Sequence, residues 1–284
     1  MSIQIITDST CDLSATQIKE SDLGIVPLKV RFGEKEYTEG VDITMEQFYT
    51  KLAASTELPT TSQPSPRAFE KVLRPVIERG DEAIVITLSS AISGTFQSAS
   101  IAKRTLKSEH IHLIDSRSAT IGLGDLVLKA KALCSQGGSA KEVVKTIENY
   151  ASRLRILALI DTLKYLHKGG RLSTMSSILG GMLSIKPLIA LADGKVELIG
   201  RARGTKGACE WVGKRYAADK VDHSLGSVFG YTGTSDRMNE MISICQRYGV
   251  QEYHIEGIGS VIGTHAGPGC AGFAYYVSDS KKKA

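Results

Sequence analysis

The chain has 284 residues, 42% hydrophobic and 23% charged, with a net charge of +5: the balance of a soluble folded protein with one large or two ordinary domains. Part of that charge lies in the terminal Lys281-Lys282-Lys283, which reads as a solvated tail, and no basic run is interleaved with aromatics, so no nucleic-acid partner is expected. Five scattered cysteines (Cys11, Cys134, Cys209, Cys245, Cys270), without C-x-x-C spacing or a histidine cluster beside them, argue against a disulfide framework and a zinc centre and for a reducing, cytoplasmic compartment.

The chain opens directly into an apolar run, Ile3 to Thr7, so no signal peptide is expected. A helix follows from about Ser14, then a second strand over Ile25 to Phe32. Thr44 and Gln47 form a capping box, and Ser65-Pro66 reads as an N-cap with proline at the first helical position. Ala83 to Leu88 reads as a buried strand, Ser93 onward as a helix, and Ile111 to Ile114 as another strand. His110 and His112 share one face there, but two ligands make no closed metal site. Helices are expected from about Ile121 and from the Ser139/Glu142 box. This alternation predicts a mostly parallel sheet flanked by helices over residues 1–150.

The pattern changes over residues 151–284, where a second, α+β domain is expected. Its strands are Leu154 to Ile160, two runs within Ile185 to Arg203 joined at the hairpin signal Asp193-Gly194, Ser227 to Thr232, Gln251 to Gly257, and Phe273 to Val277. A helix spans Asp236 to Tyr248, and Ser173 to Met182 is small and apolar. Apolar runs are too short to span a bilayer, so no stable membrane insertion is expected, and without a heptad or a long apolar stripe the protein reads as a monomer.

Three polar loops sit where strands hand over to helices, the usual ligand edge of an open α/β sheet. They are Thr7-Asp8-Ser9-Thr10, Thr60 to Pro66, and Ser89 to Thr95. Hydroxyls and free N–H groups at a helix start suit a carboxylate or phosphate, although serine and threonine also serve there simply as caps. In the second half, Lys168-Gly169-Gly170-Arg171-Leu172-Ser173 sets cations beside a flexible turn. Gly263-Thr264-His265-Ala266-Gly267-Pro268-Gly269 places a histidine in what reads as a loop too rich in glycine and proline for a regular element. Gly257, Gly259 and Gly263 have the wrong spacing for a dinucleotide fingerprint. Neither a phosphate-binding P-loop nor a G-x-S-x-G elbow occurs.

Taken in order, these segments resemble the DegV family of bacterial fatty-acid-binding proteins. The likeness runs through Ile6 to Thr10, Thr61 to Ser65, Ser89 to Thr95, Lys168 to Arg171, Ile185-Lys186-Pro187 and Ile262 to Gly269. Glu39-Gly40 departs from a usual Asp-Gly, and Ala266 from a frequent threonine. The resemblance implies a two-domain α/β fold with a long-chain fatty acid at its centre and no cofactor. It implies that Thr61 and Ser93 bind the carboxylate, with Ser62, Gly94, Thr95 and His265 around it. A partner fatty acid kinase would supply ATP and convert the bound acid to an acyl phosphate for phospholipid synthesis. Arg171, Arg201 and Arg203 are candidates for a cationic rim facing that kinase, and Lys186 is a weaker one. Candidate walls for the acyl chain are Ile178-Leu179, Met182-Leu183, Leu188 to Leu191 and Phe273. The alternative is an acyl hydrolase with Ser93 as nucleophile, His265 as base, and Asp8 or Asp115 as the third member.

Overall fold

The computed structural model describes residues 2–172 and 184–279. β1 (Ile3–Asp8) ends in four buried residues and leads to α1 (Ala15–Glu20), started by a reciprocal Ser14/Gln17 box. β2 (Gly24–Val26) and β3 (Lys29–Phe32) follow, then β4 (Lys35–Thr38) and α2 (Met45–Ala54), which begins at the Thr44/Gln47 box. Next come β5 (Thr60–Ser62), α3 (Pro66–Glu78), β6 (Glu82–Thr87), α4 (Thr95–Leu106), β7 (Ile111–Asp115), α5 (Thr120–Ser135) and α6 (Ala140–Arg153). The later elements are β8 (Leu154–Leu159), α7 (Lys164–Lys168), β9 (Ile185–Ala192), β10 (Lys195–Arg203), α8 (Gly204–Ala218), β11 (Ser227–Tyr231), α9 (Asp236–Gln246), β12 (His254–Gly257), α10 (Ser260–Ala266) and β13 (Ala271–Tyr276).

Three sheets form among the described residues. β2-β1-β6-β7 is wholly parallel and carries helices; β10-β9-β8-β13-β11-β12 is mixed; β4-β3-β5 is a small antiparallel sheet. Helix α5 packs against β1 and β6 of the first sheet and against β11 and β13 of the second. Its first eight residues after Thr120 include Ile121, Leu123, Leu126 and Val127, all essentially inaccessible to solvent. The largest apolar cluster therefore joins both sheets, running from Ile5 and Ile84 through Leu126 to Val228 and Tyr276.

Several sequence expectations need correction. The single strand over Ile25 to Phe32 is two strands in different sheets. Pro27 lies between them, and its missing N–H ends the parallel ladder while Leu28 turns the chain into the small sheet. The helix expected from Ser93 starts at Thr95, so Ser93 stays in the loop. The stretch from Gln251 becomes strand only at His254. His265 lies in the last turn of α10, not in an irregular loop. The hairpin at Asp193-Gly194 forms as its residues demand, with φ of 47° and 77° at the two turn positions.

Candidate functional site

An apolar cavity lies between the sheets, with polar side chains gathered at one end of its lining. The polar end is made by Thr61, Ser93, Arg171 and His265, drawn from four different elements. Thr61 is delivered by β5, where pairing of Thr61 with Val30 on β3 fixes its side-chain direction. Strand alternation sends the neighbouring Ser62 outward; it is exposed and does not line the cavity. Ser93 comes from the loop that leaves the carboxyl end of β6.

That loop is held from beneath. Asp8 is fully buried at the end of β1; its carboxylate accepts from Thr10 N (3.1 Å), Thr10 Oγ1 (2.5 Å) and Leu88 N (2.8 Å). Burial raises its pKa to about 6. The loop Thr7 to Thr10, expected as one anion site, is thus occupied by the protein's own carboxylate and shut away from ligand. Ser93 Oγ lies 2.9 Å from the buried Thr95 Oγ1 and accepts from Thr95 N at 3.3 Å. Thr95 therefore supports Ser93 from behind without lining the cavity. Gly94 also stays outside the cavity wall. Gln63 crosses over it, donating to Gly94 O (3.3 Å) and Ser98 Oγ (3.2 Å), and a Cβ on Gly94 would stand 2.1 Å from Gln63 Oε1. Gln63, whose type and place in the Thr60 to Pro66 loop signal no role by themselves, ties the Thr61 strand to the Ser93 loop.

His265 Nε2 lies 2.9 Å from Thr61 Oγ1. Its Nδ1 is buried with no hydrogen-bond partner among the described residues, and a Cβ on Gly169 would stand 2.2 Å from it. An orphaned buried N–H is rarer than an orphaned acceptor, so we assign the ring proton to Nε2, donating to Thr61. The Thr61 hydroxyl hydrogen is then free for an acceptor in the cavity. Burial, with the Arg171 charge adding to it, lowers the His265 pKa to about 4, so the ring is neutral near pH 7. Arg171 is anchored by two carbonyls, Ile92 O at 3.2 Å and Gly169 O at 2.6 Å. Arg201 and Arg203 are exposed on β10 and do not reach the cavity. Lys186 is paired with Asp161 at 2.5 Å.

Much of the wall comes from the six-stranded sheet. Ile189 and Leu191 of β9, Ile156 and Ala158 of β8, and Gly272 of β13 contribute, with Ile262 from α10. Phe273 does not: it points to the opposite face and stacks on Phe229, with centroids 4.3 Å apart. Leu188 packs in that same second core. Ile178-Leu179 and Met182-Leu183 lie outside the described residues.

The hydrolase constellation is not assembled. Ser93 is bonded to Thr95 and His265 to Thr61. Asp8 is committed to Thr10 and Leu88, and Asp115 accepts from Ser90 N, Ser90 Oγ and Arg117 N. Neither acid bonds the histidine. No group of three or more potential metal ligands occurs among the described residues, and no described helix is long and apolar enough to cross a membrane.

Residues 2–278 match the family model described as "Uncharacterised protein, DegV family". A DegV domain-containing protein of Caldanaerobacter subterraneus is 38% identical over 274 residues, covering 95% of this chain and 97% of that one. One from Deinococcus radiodurans is 34% identical over 278 residues, with 96% and 98% covered. A solved structure of a DegV family protein from Thermus thermophilus, described by its fatty acid binding, matches with a TM-score of 0.88 at 32% identity, over 98% of this chain and 100% of that one. DegV of Bacillus subtilis, described as a fatty acid binding protein, gives 0.83 at 28% identity, again over 98% and 100%.

Proposed function

The chain belongs to the DegV family, and we propose that it binds one long-chain fatty acid, with the carboxylate between Thr61 and Ser93 and the acyl chain in the apolar cavity. The observation that carries this reading is a pair of hydroxyls beside a neutral histidine, at one end of a cavity whose walls are mostly aliphatic. A chain of about sixteen carbons has roughly fourteen methylenes, each worth about 0.8 kcal/mol on full burial. The gross transfer term is therefore on the order of 11 kcal/mol before ordering costs reduce it. Affinity comes from the chain; orientation comes from the head group.

Neutral donors suit a ligand that must later react. A direct ion pair would hold charge on the carboxylate oxygen, whereas hydroxyl donors orient it and leave it nucleophilic. We infer a carrier without a nucleotide site of its own, which presents the acid to a partner kinase for acyl-phosphate formation in phospholipid synthesis in the cytoplasm. Arg171, its guanidinium turned to the Ile92 and Gly169 carbonyls, lines the same cavity, and together with Arg201 and Arg203 on the exposed β10 it forms the cationic rim that meets the kinase. The test is a titration of palmitate and oleate into the wild type and a Thr61→Ala/Ser93→Ala variant, followed by addition of a fatty acid kinase and labelled ATP. The reading predicts saturable binding and label transfer by the wild type, with both reduced in the variant. Equal binding by the two proteins would remove the head-group assignment; binding without transfer would remove the kinase step.

A further inference from the structure

Helix α10 carries His265 in its last turn, and its first turn is gripped by two carboxylates from the opening forty residues of the chain. Glu39 Oε1 accepts from Ser260 Oγ at 2.9 Å and from Val261 N at 2.7 Å. Its Oε2 accepts from Ser9 Oγ at 2.6 Å, and Ser9 Oγ accepts from Leu28 N at 3.0 Å. Asp12, in the left-handed region at φ 53°, accepts through Oδ1 from Gly259 N at 3.0 Å. A Cβ on Gly259 would stand 2.7 Å from Glu39 Oε1 and 2.8 Å from Asp12 Oδ1, so glycine is what lets both carboxylates close on the helix start. Tyr49 completes the grip by donating to Ile258 O at 2.9 Å.

The arrangement is demanding. Glu39 is only 8% exposed, and a buried carboxylate is tolerated only where hydrogen bonds replace its water. Its donors here are two backbone-anchored groups of α10 and one hydroxyl from the N-terminal segment, so one side chain links the two. The free N–H groups of a helix start also favour negative charge. Val261, which Glu39 holds, and His265, which meets Thr61, are four residues apart and share one face of a rigid turn. Neither Asp12 nor Glu39 lines the cavity.

We propose that Glu39 and Asp12 are positioning residues for the head-group site: they fix the placement of α10, hence of the His265 imidazole, and through the His265–Thr61 bond the direction in which the Thr61 hydroxyl points. Only the ligand-binding half of this inference rests on the fatty-acid reading. The imidazole half concerns the protein alone.

The test is a double-mutant cycle read in two ways. Glu39→Ala is compared with the wild type, each with and without His265→Ala, by palmitate affinity. The His265 ring ¹⁵N–¹H signal is recorded without ligand in the wild type, Glu39→Ala and Glu39→Gln. Loss of the buried acceptor that holds Ser260 and Val261 is expected to weaken palmitate binding about tenfold where His265 is present, and less than about twofold where it is absent. The ring Nε2–H signal should move in Glu39→Ala and return in Glu39→Gln, which keeps an acceptor for Val261 N. Should Glu39→Ala fail to fold, Ser260→Ala removes one of the same bonds and is expected to move the signal in the same direction. A wild type that takes no palmitate would sink the carrier reading, while the ring signal still decides the positioning role. An unmoved ring signal, or equal affinity losses in both His265 backgrounds, would overturn the inference.

Discussion

In the proposed head-group site Thr61 and Ser93 each offer one hydroxyl, so removing them one at a time is informative. Thr61→Ala and Ser93→Ala should each weaken fatty-acid binding by roughly three- to tenfold, the scale of one net hydrogen bond. Isothermal titration checks this; an unchanged affinity would place the carboxylate elsewhere. His265 gives a signed pH effect. The unfolded ring has its ordinary pKa of 6.5 and the folded one about 4, so between those values the unfolded chain binds more protons. Its contribution to stability is intact above about pH 6.5 and is lost as pH falls towards 4. Asp8, raised to about 6, acts in the opposite sense, so the effect should be read as wild type minus His265→Gln in urea unfolding. That difference should decline on acidification, and a flat difference would contradict a buried neutral ring. That Thr61, Ser93 and His265 line one end of a single cavity was not legible, since Thr61 lies in β5 and His265 in α10 and only the fold brings them together. The close packing of Gln63 on Gly94 and of His265 on Gly169 was not legible: a Cβ on either glycine would stand 2.1 or 2.2 Å from its neighbour, and no local pattern encodes that.

At the scale of elements, alternation along β13 separates binding from stability in adjacent residues. Gly272 faces the cavity, and a Cβ there would meet Ile121 Cδ1 at 3.4 Å, so modest bulk is accommodated at the expense of ligand space. Gly272→Val should keep the fold and shift the bound acid towards shorter chains, read by comparing affinities across a chain-length series. Phe273→Ala, one residue on, should cost about 3–5 kcal/mol of stability and leave chain preference alone, because it empties the second core. The strands and capping boxes were read from the sequence because apolar runs and Ser/Thr-x-x-Gln/Glu spacings are local. Pro27 was a visible stop between β2 and β3, yet apolar residues on either side masked it. β5 has no apolar residue and exists only because β3 offers it a ladder. Helix α8 carries Gly204, Gly207 and Gly213, which weaken its propensity; burial of Ala208, Cys209, Val212 and Tyr216 makes it helical.

For the molecule as a whole, the decisive feature is that the site belongs to neither sheet alone. Thr61 and Ser93 come from the first half of the chain, Arg171 and His265 from the second, and α5 packs between the two large sheets. The change of pattern near residue 150 was legible, and so was the parallel sheet that precedes it. The shared apolar cluster was not, since it depends on which faces meet and not on how each element is patterned. An acyl chain in the cavity would be bounded by both halves, so binding should stabilise the protein as a unit and raise its melting temperature with the logarithm of ligand excess. The measurement that tests the central claim most directly is mass spectrometry of lipid released on denaturing the purified protein. The account predicts about one long-chain fatty acid per chain in the wild type and its loss in Thr61→Ala/Ser93→Ala. A protein that arrives empty, and stays empty after incubation with saturated and unsaturated acids, would contradict it.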